Sequence, residues 1–309
     1  MKTKFFSPSV RVSCISLALC MIPLSAQAAR VNATLSWESG DYGTTYNYAG
    51  PRLDMSINPD GSNWYYTLGY RNRTHETNQN YTRTEGQAAY RFRYAEGWIQ
   101  PHLNIRQDVT SFESNSRTKV DHYKAGVTYI HDIADSWSLW GVLKGGIERQ
   151  SDTNASQGIT RESDYLQWEL EPGIRYSFSP NSRITASYYN NGVRSDKGET
   201  WGLTDDKSSE QVRLYYFYRA DNGFTFSPYV RQAIGWGNQH TWYESAALDG
   251  TLALNKVSRY ALQMSYPIFD SVSLTAEYYI EDVEYKENFD LGKDDLRVKY
   301  LKLGVRASF

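Results

Sequence analysis

Cysteine is nearly missing from this chain of 309 residues: Cys14 and Cys20 are the two it holds, and both fall within the first 28 positions. The rest of the chain therefore builds no disulfide framework. Long apolar runs are missing as well. Beyond residue 28 nothing approaches 18 consecutive apolar residues, and the mean hydropathy is −0.63, which excludes a protein that crosses a membrane by helices. A strong charge of either sign is also lacking, with 33 basic and 35 acidic residues and a formal net charge of −2. That balance argues against nucleic acid or another polyanion as partner. Two classes survive these absences, a soluble secreted β-protein and a transmembrane β-barrel, because a barrel needs apolar residues only at alternate positions.

The first 28 residues read as a secretory signal peptide. Lys2, Lys4 and Arg11 make a positive start, Val12 to Leu24 is mostly apolar, and Ala26-Gln27-Ala28 is a small-x-small cleavage site. Cys20 raises a lipoprotein reading, against which Leu19 stands where a small residue is wanted. The expected domains are thus the signal, 1–28, and a barrel over 29–309. Without the signal's three basic residues, 30 basic face 35 acidic residues, net −5.

What the chain has in excess is aromatic: 26 Tyr and 9 Trp. Rings with one polar edge collect at membrane–water interfaces, although tyrosine-rich carbohydrate binders share the composition. Strict alternation is also abundant. The last stretch shows it plainly, with Leu301, Leu303, Val305, Ala307 and Phe309 on one face and Lys302, Gly304, Arg306 and Ser308 on the other. Fourteen such segments follow one another without a helical interlude, from Val31–Glu38 to this one. The connections sort by length. Asn58–Gly61, Ala95–Gly97, His131–Asp135, Ser179–Asn181, Ala220–Gly223 and Pro267–Asp270 are tight. Longer polar stretches lie between them, near Gly40–Ala49, Asn72–Thr82, Val109–Arg117, Gln150–Arg161, Asn191–Ser208, Trp236–Ala253 and Asp282–Asp294. Short periplasmic turns and long outer loops are the anatomy of an outer-membrane barrel; a soluble sandwich has no reason to sort its loops so. The expected fold is all-β, a transmembrane antiparallel up-and-down barrel of 14 strands.

The apolar face is nearly free of charge, as lipid contact requires, which leaves the polar face for the lumen. Read by register, the wall carries Arg52, Arg71, Arg91, Arg93, Arg106, Lys124, Lys144, Arg175, Arg183, Arg213, Arg219, Arg231, Arg259, Lys302 and Arg306. Against them stand Glu38, Asp54, Glu85, Asp108, Glu148, Glu169, Glu171, Glu277 and Glu281, so the wall is basic in a chain that is net negative. Such a wall favours anionic solutes, or its Arg–Glu ladders hold a wide lumen in shape. Tyr65, Tyr165, Tyr189, Tyr215, Tyr229 and Tyr279 fall on the same face, where they could stack on sugars or simply pack. Fourteen strands lie near the 16 to 18 that leave an aqueous channel.

With a signal peptide, fourteen amphipathic strands, alternating loops and the ending Leu303-Gly-Val-Arg-Ala-Ser-Phe309, the chain resembles the OmpG-type monomeric porins of Gram-negative bacteria. The resemblance implies a wide single-chain channel for ions and oligosaccharides in the outer membrane. Its neighbours would be lipid and lipopolysaccharide, it would need no cofactor or metal, and Phe309 would be the signal read by the barrel-assembly machinery. It also implies that the sixth outer loop, here Trp236–Ala253, folds over the pore at low pH. In that family two histidines on neighbouring strands drive closure; this chain has His240 in the loop and no histidine after it, so the paired device does not carry over. Glu244 and Asp249 could still tether the loop to wall arginines. Two other classes stay open, a barrel enzyme (protease or phospholipase) built on His240, Glu244 and Ser245, and a sealed structural or adhesive barrel.

Overall fold

In a computed structural model, residues 29–43, 47–77, 79–195, 206–235, 238–239, 255–285 and 295–309 are described. They form β1 (Ala29–Asp41), β2 (Tyr48–Pro59), β3 (Trp64–His75), β4 (Asn80–Tyr90, resuming after Arg91 as Phe92–Tyr94), β5 (Gly97–Ser111), β6 (Arg117–Ala134) and β7 (Trp137–Asn154). Then come β8 (Ile159–Ser179), β9 (Ser182–Ser195), β10 (Asp206–Arg219), β11 (Thr225–Ala233, continued by Asn238–Gln239), β12 (Asn255–Phe269), β13 (Val272–Tyr285) and β14 (Leu296–Ser308). Each strand pairs antiparallel with its neighbours in sequence, and β1 pairs with β14, so the sheet closes on itself. The result is a 14-stranded barrel. Among the described residues no helix is long and apolar enough to cross a membrane.

At one end the connections are minimal. Gly61 (φ 69°) and Gly223 (φ 81°) take the left-handed conformation that a side chain resists, and the turns close by bonds from Ser62 N–H to the Pro59 carbonyl (3.1 Å) and from Gly223 N–H to that of Ala220 (2.9 Å). The start of β1 and the end of the last strand lie here. Just past the last strand residue, Val31 and Phe309 exchange backbone hydrogen bonds of 3.1 and 2.9 Å.

At the other end the strands run further than the sequence suggests. The polar stretches near Asn72–Thr82, Val109–Arg117 and Gln150–Arg161 are mostly strand and leave connections of only 76–79, 112–116 and 155–158. The His131–Asp135 turn is likewise shorter, because β6 continues through Ala134. Apolar alternation stops where lipid stops, whereas backbone pairing goes on above it. β8 has 21 residues, about twice the 9–11 that a crossing needs.

The two faces of the wall are inverted relative to a soluble protein. Leu35 (64% exposed), Leu103 (65%) and Phe309 (78%) point outward, whereas Glu38, His102, Glu171 and Arg213 are buried. An apolar surface this extensive is tolerable only in contact with lipid. Near the turn end the outer face carries linked rings: Trp64 lies 6.0 Å from Tyr66 and 5.1 Å from Tyr90, and Trp137–Tyr176–Phe178 are joined at 4.7 and 4.9 Å. From Tyr176 up to Leu166 on β8 the outer face runs about 33 Å along the strand, or about 25 Å along the normal at a 40° tilt, which matches the apolar band of such barrels. Charged pairs appear on the outer face toward the upper edge of the band, as Arg149–Asp164 (2.9 Å), Lys119–Asp121 (2.6 Å) and Arg297–Asp282 (2.7 Å), and Glu210 is exposed on the same face beside Asn190. The protein is an outer-membrane barrel.

One carboxylate ties the seam between the two ends of the chain. Glu38 on β1 is fully buried; it accepts from Tyr300 Oη of β14 at 2.8 Å and from Arg73 Nε of β3 at 2.6 Å. Arg71 stands at 3.1 Å and Arg52 at 3.9 Å from it. Gly40 leaves room for the Tyr48 ring to lie over β1, and Arg73 stacks on that ring at 4.1 Å. Converting Glu38 to Gln leaves Arg71 and Arg73 without their counter-charge, while Arg52 keeps Asp54 at 2.7 Å. Glu38→Gln should cost about 3–5 kcal/mol, read as a lower urea midpoint for the refolded barrel in detergent. An unchanged midpoint refutes this role.

Candidate functional site in the barrel lumen

The concave face is identified by contacts that skip a strand, since curvature brings next-nearest strands together only inside. Glu171 on β8 meets Arg213 on β10 at 2.9 Å, Tyr229 on β11 donates to Glu277 on β13 at 3.1 Å, and His122 on β6 lies 3.3 Å from Gln167 on β8. Alternation then fixes the face of every other residue on these strands. Arg52, Arg71, Arg91, Arg93, Arg106, Lys124, Glu169, Glu171, Arg175, Arg183, Arg213, Arg231, Arg259, Glu277, Lys302 and Arg306 all fall on the inner face by register.

Most of the mid-depth wall is charge-matched. Asp108 takes Arg83 Nε at 2.6 Å and Arg106 Nε at 2.9 Å, and also His122 Nε2 at 3.1 Å. The other nitrogen of His122 faces Glu148 at 3.2 Å. Glu169 lies between Lys144 (3.1 Å) and Lys124 (3.8 Å), Lys302 meets Glu277 at 2.7 Å, and Arg259 Nε donates to Glu281 at 2.8 Å. Arg213 is held doubly, by Glu171 and by Gln211 Oε1 at 2.9 Å.

Toward the turn end the matching stops. Arg91, Arg93, Arg175, Arg183, Arg219 and Arg306 there, and Arg231 further up in register with Arg213 and Arg259, have no carboxylate within 4 Å among the described residues; the inward carboxylates left without a basic partner include Asp132 near the turns and Glu85 in register with Arg106. Most of these arginines rest on rings and hydroxyls instead. Arg91 lies 4.3 Å from both the Tyr65 and Trp98 rings and donates to Gln100 at 2.8 Å. Arg183 covers Phe217 at 4.2 Å, Arg231 lies 4.9 Å from Tyr229, and Arg306 reaches Thr34 Oγ1 at 3.4 Å. Guanidiniums also cover Tyr189 (from Arg213, 3.2 Å) and Tyr279 (from Arg259, 4.1 Å); Tyr279 stacks on Tyr300 as well, at 4.3 Å. The inward tyrosine faces are thus largely occupied by the wall's own cations.

Sequence reading missed Arg73 and Arg83 as wall residues, and Tyr48 and Tyr300 as part of the seam. Arg73 continues the parity of Arg71, and Arg83 that of Glu85, but both lie where the outer-face residues have turned polar. His131 and Asp132, adjacent in sequence, face opposite sides: His131 stacks near Tyr94 at 6.0 Å, and Asp132 accepts from Ser138 at 2.6 Å. They do not make a dyad. His240, Glu244 and Asp249, with the signal segment 1–28, lie outside the described residues. Phe309 extends the outer face with its ring exposed. No group of three or more His, Cys, Asp or Glu arranged to hold a metal occurs among the described residues.

The profile of the family described as "Putative MetA-pathway of phenol degradation" matches residues 64–204, less than half of the chain. No curated protein matches it significantly. Among solved structures the chain is similar to the CymD monoaromatic hydrocarbon channel, with 10% identity, a TM-score of 0.52, and 92% of this chain and 89% of that one covered. The toluene transporter TodX of P. putida aligns at 8% identity with a TM-score of 0.48, over 91% and 89% of the two chains. At such identities the likeness is one of fold, which this chain shares with CymD over 92% of its length.

Proposed function

We propose that the protein is a passive outer-membrane channel that favours small anionic solutes. The observation that supports this reading is the uneven matching of charge along the lumen. Most paired groups cancel at mid-depth, whereas Arg91, Arg93, Arg175, Arg183, Arg219 and Arg306 toward the periplasmic end, with Arg231 above them, have no carboxylate partner among the described residues, against lone Asp132 and Glu85. Inward neighbours on a strand are about 7 Å apart, within a Debye length of about 8 Å, so Arg91 and Arg93 act on a passing ion together. Fixed cations in a low-dielectric wall concentrate anions in the pore.

The likeness to OmpG-type monomeric porins belongs to this proposal, as do a single-chain state, lipopolysaccharide contact and recognition of Phe309 during assembly. Oligosaccharide passage has less support, since most of the tyrosine faces that would stack on sugars already carry a guanidinium. Passage of monoaromatic hydrocarbons, which the names of CymD and TodX state of those proteins, calls for an apolar lining, and this lumen is lined by ions. The enzyme reading finds little support: the Asp108–His122 contact lies in the wall with both ring nitrogens engaged.

Purified protein in planar bilayers should give discrete conductance steps; a silent protein refutes the channel. In a salt gradient the reversal potential should show anion preference, and cation preference refutes the charge argument. Arg91→Gln combined with Arg93→Gln should reduce the preference without abolishing conductance. Glu171→Gln, which uncovers Arg213, should increase it in the same measurement.

A further inference from the structure

Several cavities open off the lumen, and their charge balance differs. One of about 260 Å³ on the β3–β8 side is lined by Arg106, His122, Lys124, Lys144, Glu85 and Glu169, a set whose cations are largely matched by carboxylates. Another, of about 520 Å³ on the β7–β12 side, contains Arg175, Arg183 and Arg231 together with Trp140, Phe217 and Tyr229. Its two carboxylates are already committed. Glu171 receives Arg213 at 2.9 Å, Ser187 at 2.9 Å and Tyr215 at 3.2 Å, and Glu169 is held by Lys144 and Lys124. The field inside it comes from three guanidiniums.

We infer that this cavity is a binding station for a small carboxylate carried on a flat ring. The inference rests on the channel reading and specifies the solute at one place along the path. Stacking engages the face of a guanidinium and leaves its in-plane N–H groups free to donate. Arg183 is held this way over Phe217 at 4.2 Å, and Arg231 near Tyr229 at 4.9 Å. The Nε of Arg231 is buried without a hydrogen-bond partner, and Arg175 Nε makes only a 3.4 Å contact with Thr185 Oγ1. Buried donors of this kind call for an acceptor, and the planar fork of arginine fits the two oxygens of a carboxylate.

The ring half of the ligand follows from the other walls. Trp140 lies against β8 where Gly173 has no side chain; a Cβ there would meet the Trp140 Cε3 at 3.1 Å. With Tyr215 it gives the cavity an aromatic lining beside the cations, while Phe217 and Tyr229 back the guanidiniums of Arg183 and Arg231. A bare inorganic oxyanion would satisfy the donors and leave that lining uncovered. A neutral aromatic would cover the lining and leave the donors unmet. The volume is that of ordinary small-molecule sites, about 300–1,000 Å³.

The test is block of chloride current through the full-length mature protein in planar bilayers by benzoate, acetate, inorganic phosphate and benzyl alcohol at matched concentrations. Benzoate should reduce current at the lowest concentration. Arg183→Gln with Arg231→Gln should raise its half-blocking concentration about tenfold or more, the cost of losing charge-assisted hydrogen bonds. Trp140→Leu, which keeps every charge and every stacked guanidinium, should weaken benzoate block and leave phosphate block unchanged; it serves as the second variant should the arginine pair fail to refold with native β-sheet circular dichroism. Benzoate no better than acetate, phosphate equal to benzoate, or block indifferent to these substitutions overturns the site while leaving an anion-preferring channel in place. Absence of any conductance overturns the channel reading and the site with it.

Discussion

Everything in this structure depends on the satisfaction of backbone hydrogen bonds where no water is available. A strand in lipid cannot leave an edge open, because each unpaired N–H or C=O in hydrocarbon costs several kcal/mol. The fourteenth strand must therefore return to the first, and here it does so in a continuous register from Asp41↔Lys299 to Asn32↔Ser308, with Val31 and Phe309 bonded beyond it. Closure curves the wall. Curvature, in turn, lets side chains on the concave face touch across an intervening strand, and the lumen's chemistry is built from such contacts.

The seam shows the consequence most directly. Glu38 sits on β1, yet its partners come from β14, β2 and β3. A carboxylate with no solvent exposure is stable there because three guanidiniums and a phenol surround it. The same principle recurs around the wall with Asp108, Glu169 and Glu171. Where it lapses, at Arg231 and toward the turn end, arginines are held by stacking on Tyr65, Trp98, Phe217 and Tyr229. Stacking fixes a guanidinium without neutralising it. Carboxylate pairs thus give the wall its mechanical coherence, and the stacked arginines give it a field that solutes meet.

Sequence by itself determined the class and the two faces. Period-two alternation can be satisfied only by strands, and the absence of charge between Leu35 and Trp37, or between Leu139 and Leu143 on the same face, already separates lipid from lumen. The count of alternating segments set the strand number, and the sorting of tight and long connections set the end at which the first strand starts and the last one finishes. Alternation lost its force above the lipid band, where Asn72 and Thr74 replace apolar residues on the outer face; Arg73 and Arg83 were overlooked for that reason. What only the tertiary structure decided is which charges cancel. Arg183 and Arg213 look alike in sequence, each an arginine on an inward register followed by an outward aliphatic residue. The closed wall brings Glu171 to Arg213 across β9 and, among the described residues, brings no carboxylate to Arg183, because neighbours across a strand are set by curvature and register, which no local pattern encodes.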